Sequence, residues 1–308
     1  MPAGRSEQYS TIDTRMHGYA GVTASFVVRG EKIALLETGP KSVVDNVFDG
    51  LKALGIETVD WILVTHIHLD HAGAAGTLAQ RFPQAQVAVH EVGAPHLVDP
   101  TKLWKSAARI YGDDMERLWG GIDPIPEERI TVLTDGAKID VGGRSLQAIE
   151  TPGHAYHHHA FLDSESGTLF AGDAIGVRLH DVDLIRPATP PPEFHLEKAI
   201  ASIERIREVG AEVLCPTHFG AVDRLVDETC DEAIESLRKW AEWVITGRKK
   251  SDDLDTVADY VKAQAREHFE SRLSEDAVKR LEQTTSYWMN TWGYMRYLDK
   301  KAEAEASA

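Results

Sequence analysis

The stretch "VTHIHLDHAGA", Val64 to Ala74, sets His66, His68, Asp70 and His71 within six positions, between an apolar run and a string of small residues. In an extended segment alternate residues share a face, so His66 and His68 point into one pocket while Ile67 packs the other way. Asp70 and His71 follow at the turn into a helix and add an oxygen and a third nitrogen donor. Each buried imidazole or carboxylate must find a partner or be destabilised by desolvation. Metal ligation is a partner that suits all four donors, so the fold has to bring any further ligands to the end of this one strand.

The surrounding pattern reads as alternating strands and helices. "GVTASFVVRG" and "KIALLET" form a strand pair, "SVVDNVFDGLKALG" has helical spacing, and "VDWILVT" is the strand that feeds the histidines. "AGAAGTLAQRF" reads as a helix and "AQVAVH" as a buried strand. Residues 91–129 break this rhythm as a helical insertion carrying Trp104, Tyr111 and Trp119. Short β signals follow, then the Pro-rich loop "IRPATPPPEFH", a helix near 194–208 and the strand "EVLCP". Three helical stretches, 227–246, 254–270 and 275–297, precede the Ala/Glu-rich tail "KKAEAEASA", which reads as frayed or disordered.

Three further donors stand at the ends of β-like runs beside turn signals: His154 in "TPGH", Asp173 in "FAGD" and His218 in "CPTHFG". Together, five histidines and two aspartates match two adjacent metal sites sharing one carboxylate. Such a pair holds a hydroxide that is nucleophilic at neutral pH, because the cations lower the pKa of bound water.

With these residues in place, the chain resembles the metallo-β-lactamase superfamily over roughly residues 17–225. Its HxHxDH signature stands as "HIHLDH", His66 to His71, and the later histidine, aspartate and histidine keep the family's order and contexts. The resemblance implies an α/β fold, a four-layer αββα sandwich, here with a helical insertion and a C-terminal helical extension. It implies a core domain over residues 1–250 and an extension over 251–308 that packs on the core or on a dimer partner. It also implies that His66, His68 and His154 hold one metal, that Asp70, His71 and His218 hold the second, and that Asp173 bridges. Asp70 is the expected catalytic acid/base. The metals are expected to be two divalent ions, zinc first, with manganese and iron as alternatives.

The chain also departs from the family pattern. The "DTG" turn appears as "ETG", Glu37 to Gly39, and the interval from His71 to His154 spans 83 positions because of the insertion. Three positions after Asp173, where acyl-homoserine lactonases have tyrosine, stands Gly176. His218 is followed by "FGAV", unlike the "GHEYT"-like segment of glyoxalase II thioesterases. No subfamily is assigned. Trp104, Tyr111, Trp119, His157 and His158 are the candidate substrate contacts. His90, His96, His180, His195, His17 and His268 carry no motif, and Cys215 and Cys230 read as ordinary thiols outside any CxxC pattern.

Composition narrows the function. With 33 basic and 49 acidic residues the net charge is −16, which opposes a nucleic-acid backbone and disfavours phosphodiester hydrolysis. A small molecule is the expected partner, with neither nucleic acid nor membrane, since no apolar run reaches transmembrane length and no signal segment is read at the start. A cytoplasmic location is expected. The reading is a hydrolase of a small ester, thioester, lactone or amide. The alternative is an iron-dependent oxidoreductase of the same fold, similar to persulfide dioxygenases. A homodimer is expected from the aromatic stripe "SYWMNTWGYMRY".

Overall fold

Alternation of apolar side chains along the strands builds two sheets that share one interior. The computed structural model describes residues 9–307; the reading of residues 1–8 as lacking a signal segment lies outside them, as does Ala308. The first sheet runs in chain order through β1 (Tyr9–Asp13), β2 (Ala24–Arg29), β3 (Ile33–Leu36), β4 (Trp61–Leu63), β5 (Gln86–His90) and β6 (Ile130–Leu133). The second comprises β7 (Lys138–Asp140), β8 (Ser145–Glu150), β9 (His159–Asp163), β10 (Thr168–Gly172) and β11 (Val213–Pro216), in the spatial order β11, β10, β9, β8, β7. The first sheet begins antiparallel and turns parallel from β3 onward; the second is antiparallel except for β10 beside β11. The strand β1 was not legible in the sequence.

Period-2 patterning assigns each side chain to a layer. Phe26, Val28, Leu36 and Leu63 meet Leu146, Phe161 and Phe170 between the sheets. Their neighbours Val27, Leu35 and Ile62 turn outward, onto α1 (Val44–Ala53) and, past the short α2 (Leu69–Ala72), onto α3 (Ala75–Arg81). The insertion folds as α4 (Ala94–Val98), α5 (Thr101–Tyr111) and α6 (Met115–Trp119). The outer face of the second sheet is covered by α7 (Leu196–Glu208) and α8 (Val226–Arg248), joined by α9 (Leu254–His268), α10 (Glu275–Leu281) and α11 (Tyr287–Ala306). The result is the expected αββα sandwich with a helical C-terminal region.

Two expectations change. The helix read over 275–297 breaks after Leu281, and Ser286 restarts it by accepting the Met289 N–H on its side chain. The tail read as disordered continues α11 to Ala306, because Ala and Glu are strong helix formers and no breaker intervenes. The aromatic stripe is largely used within the chain: Tyr287, Tyr294 and Tyr297 are buried in the cluster containing Trp240 and Trp243. Of its large aromatics, Trp288 stays exposed, with Trp292 beside it at a centroid distance of 5.1 Å. No helix among the described residues is long and apolar enough to cross a membrane.

Candidate metal centre

The seven predicted donors converge at one end of the sandwich, each delivered where a strand stops. After β4 the chain stays extended through His68, which begins α2, so His66 and His68 share a side while Ile67 joins the outer core. Asp70 and His71 lie in α2. His154 comes from the loop after β8, Asp173 directly follows β10, and His218 follows β11. Gly172 has φ +54, and a Cβ there would stand 2.5 Å from His158 Nε2, so only glycine lets the chain turn into Asp173 this closely.

Three nitrogens form one cluster: His66 Nε2 lies 2.9 Å from His68 Nδ1, and His154 Nε2 lies 3.2 Å and 2.9 Å from those two atoms. A second cluster forms around carboxylates. Asp70 Oδ2 is 3.6 Å from both His71 Nε2 and His218 Nε2. Asp173 faces both clusters, with Oδ1 3.4 Å from His71 Nε2 and 3.3 Å from His218 Nε2, and Oδ2 3.5 Å from His154 Nε2. Donors about 2.1 Å from a tetrahedral zinc stand roughly 3.4 Å apart, so these spacings fit two ions. Among the described residues, His71 Nε2, His218 Nε2 and Asp173 Oδ1 are buried without a hydrogen-bond partner. Polar atoms in that state need a ligand to offset desolvation.

The remote ring nitrogens are tied down. His154 Nδ1 donates to the Ala188 carbonyl at 2.9 Å and His218 Nδ1 to the Val22 carbonyl at 2.8 Å, which leaves each Nε2 free to ligate. His71 Nδ1 is paired with buried Glu37 Oε2, whose Oε1 accepts the Thr65 N–H at 2.8 Å. Glu37 adopts φ +63, a strained backbone for a residue with a side chain, and the site retains it. The longer acid of the "ETG" turn thus reaches both a donor histidine and the strand that carries the others.

Electrostatics divides the histidines. Burial, reinforced by neighbouring histidines, holds His66 and His68 well below their ordinary pKa. Burial opposes protonation of His71, but Asp70, Asp173 and Glu37 outweigh it and raise its pKa well above the usual value. Burial would raise the Asp173 carboxyl; His71, His218 and His154 override that and hold it well below the carboxylate range. Without a metal the site thus sets neutral His66, His68 and His154 on one side of a firmly ionised carboxylate and the proton-holding His71 and His218 on the other, so an ion bound at the second set takes the place of protons.

A cavity of about 400 Å³ opens onto these donors. The insertion forms one wall through Leu103, Ile110, Tyr111 and Trp119, and the start of α11 forms another through Met289 and Asn290. Tyr111 stands edge-on to Trp119 with ring centroids 5.0 Å apart. Burial and the Asp70 charge raise its phenol pKa, so it stays protonated. His157 also reaches the cavity; the Ile67 N–H donates to its Nδ1 at 3.4 Å, and its Nε2 lies 3.4 Å from Glu193.

Two expected substrate contacts do not reach it. Trp104 packs on the small cluster of Met16, Leu69 and Met115 beneath the insertion and is absent from the cavity lining. His158 is fully buried in a supporting role: its Nδ1 donates to Thr151 Oγ1 at 2.7 Å and its Nε2 accepts the Asp173 N–H at 3.1 Å. Sequence reading had also missed Asn290. Its Oδ1 accepts the Thr189 N–H at 2.9 Å and its Nδ2 donates to the Pro187 carbonyl at 2.7 Å, bracketing the Ala188 carbonyl that orients His154. A lone asparagine 136 positions after His154 gives no local signal.

Comparisons with known proteins agree with this fold. Residues 18–218 match the metallo-beta-lactamase superfamily. The chain is 31% identical to the uncharacterised protein YobT of Bacillus subtilis, over 76% of this chain and 99% of YobT. It is 28% identical to the metallo-beta-lactamase fold-containing protein ST1585 of Sulfurisphaera tokodaii, over 67% of this chain and 76% of that one. The ST1585 crystal structure superposes with a TM-score of 0.69 at 23% identity, covering 93% of this chain and 97% of that one. Shorter matches include a hydroxyacylglutathione hydrolase of Aeromonas salmonicida, 33% identical over 42% of this chain and 38% of the hydrolase. A coenzyme F420H(2) oxidase of Methanothermobacter marburgensis is 31% identical over 53% of this chain and 37% of the oxidase. With donors, spacing and sequence pattern in agreement, the chain belongs to the metallo-beta-lactamase superfamily.

Proposed function

We propose that the protein is a metal-dependent hydrolase of a small ester, thioester, lactone or amide. The observation that carries this reading is Asp173, whose two oxygens face two separate donor sets, each containing nitrogens fixed by their far-side hydrogen bonds. His66, His68 and His154 would hold one ion and Asp70, His71 and His218 the other, with Asp173 between; imidazole and carboxylate donors suit zinc. When bound, the two ions would lower the pKa of water to supply a nucleophile at neutral pH and polarise the substrate carbonyl.

The chain's own residues supply the rest. Asp70 lines the cavity beside both second-set histidines, where its carboxylate orients the nucleophile, takes its proton and passes that proton to the leaving group as the tetrahedral adduct collapses. Tyr111, protonated at all working pH values, presents a hydroxyl for substrate oxygen. The apolar walls from α5, α6 and α11 bind the acyl portion and exclude water. The net charge of −16 argues against a polyanionic substrate.

The hydroxyacylglutathione hydrolase match supports this class of reaction. The coenzyme F420H(2) oxidase match supports a second reading, redox chemistry on the same fold. Metal analysis of the purified protein, with a panel of lactone, thioester, β-lactam and phosphodiester substrates, separates them. Asp70→Asn preserves shape but removes charge. Its metal content is expected to fall from two toward one per chain, and kcat to fall by about 10² to 10⁴. Retention of both metals and full turnover would refute the dinuclear mechanism.

A further inference from the structure

The three consecutive histidines leading into β9 take three directions, because His157 is still in the turn before the strand and His158 immediately precedes it: His157 faces the cavity, His158 supports Asp173, and His159, the first residue of β9, is left to the interior. On β9 the inward positions run through Phe161, so His159 points between the sheets. On β8 the inward positions are Leu146 and Ala148, followed by Glu150, which pairs in register with His159. Opposite them, on the first sheet, Ala88 faces inward and His90 comes two residues later. The interlayer core, apolar along most of its length, therefore ends in two histidines and a glutamate contributed by both sheets.

These side chains are close and poorly satisfied. His90 Nε2 lies 3.7 Å from Glu150 Oε1, the two rings are 4.7 Å apart, and one donor atom from each residue lies within 4.8 Å of the others. His159 is fully buried, and neither of its ring nitrogens has a hydrogen-bond partner. Its backbone is secured separately, the N–H donating to the Thr65 carbonyl at 2.8 Å. The nearby cation Arg205 is neutralised by Asp135 through two contacts of 2.8 Å and 2.7 Å. Local charge is thus left to Glu150, whose side chain opens the cluster to solvent.

We propose that His90, Glu150 and His159 form a further metal site, for a zinc-like dication, which ties the first sheet to the second. Two imidazoles and one carboxylate are a three-residue donor set for such an ion, with a fourth position for water. Small side-chain rotations bring the donors from their present separations to the roughly 3.4 Å of a tetrahedral set. One hydrogen bond must yield. The Val92 N–H donates to His90 Nδ1 at 3.0 Å, so ligation through Nε2 moves the ring proton to Nδ1 and turns that N–H to solvent. Val92 is 46% exposed in a surface turn, so water can replace the lost contact.

The site is independent of the proposed hydrolytic centre, and zinc itself is the probe. Bound zinc is measured after equilibrium dialysis for the wild type, Glu150→Gln, His159→Asn and Asp70→Asn, and zinc positions are located by anomalous scattering from zinc-loaded crystals. Wild type is expected to hold one zinc more than Glu150→Gln and His159→Asn, with an anomalous peak among the three side chains, and Asp70→Asn is expected to keep that zinc. Glu150 is half-exposed, so its glutamine variant tests ligation without disturbing the core. Equal zinc in the wild type and both variants, or no peak at this position, overturns the proposal. Zinc at this position alone supports it while removing the dinuclear reading.

Discussion

Replacing Glu37 by glutamine tests whether a buried carboxylate outside the donor set controls one metal and spares the other. Glu37 accepts at both oxygens, from the Thr65 N–H at 2.8 Å and from His71 Nδ1. A glutamine amide offers one acceptor oxygen and one NH₂ group, so one of these two donors must face another donor. The Thr65 N–H belongs to the rigid strand end and cannot turn away, so the amide oxygen goes to it. The NH₂ group then meets His71 Nδ1–H, and His71 cannot escape by changing tautomer, because ligation through Nε2 requires the proton on Nδ1. Loss of such a partner typically weakens metal binding about 10- to 100-fold, equivalent to about 1.4 to 2.7 kcal/mol. His66, His68 and His154 do not contact Glu37, so their ion should keep its affinity. Competitive zinc titration against a chromophoric chelator resolves the two affinities, with circular dichroism as a check on the fold. Two unchanged affinities, or a loss confined to the His66, His68 and His154 set, would refute the reasoning.

Asn290→Ala is expected to leave the buried Thr189 N–H without an acceptor and to free the Ala188 carbonyl that orients His154. Thermal denaturation should show a loss of about 1 to 3 kcal/mol, and zinc titration should show weakening at the His154 set; unchanged binding there would reduce Asn290 to a packing residue. The metal-free protein should lose stability on mild acidification. His157 is lowered to about 3 and His159 to about 4, chiefly by burial, and His66, His68, His154 and His158 are lowered too. For these groups the unfolded chain binds more protons, so their stabilisation is present above about pH 6.5 and is lost as pH falls toward the folded values, at up to about 1.4 kcal/mol per unit for each group. His71 and His218, with raised pKa values, act in the opposite sense: their contribution is complete below about pH 6.5 and is lost as pH rises. With His17 also lowered by burial, seven lowered histidines outnumber two raised ones, so urea unfolding after chelation should give a lower stability at pH 5.5 than at pH 7; equal values would contradict the burial argument.

The sequence by itself determined the chemistry that local geometry enforces. A strand of period 2 running into a helix compels His66 and His68 to share a face and places Asp70 and His71 one turn on. Strand ends followed by turn residues marked His154, Asp173 and His218, and apolar alternation in β2 to β5 determined the layers. Whatever depends on which surfaces meet was decided only by the tertiary structure. Asn290 reaches the candidate metal centre because α11 packs so closely on the loop at Thr189 that a Cβ at Gly293 would stand 1.7 Å from its carbonyl oxygen. Trp104 and Tyr111, seven positions apart, share a face of α5 and pack on one cluster, yet only Tyr111, at the C-terminal end of the helix, also lines the cavity, since where the cavity ends along α5 is fixed by the surrounding segments rather than by the helix's own pattern. His90, Glu150 and His159 sit on three strands of two sheets, and only the stacking of those sheets brings them together. Donor types are a local property of the chain; their partners are set by packing between segments far apart in sequence.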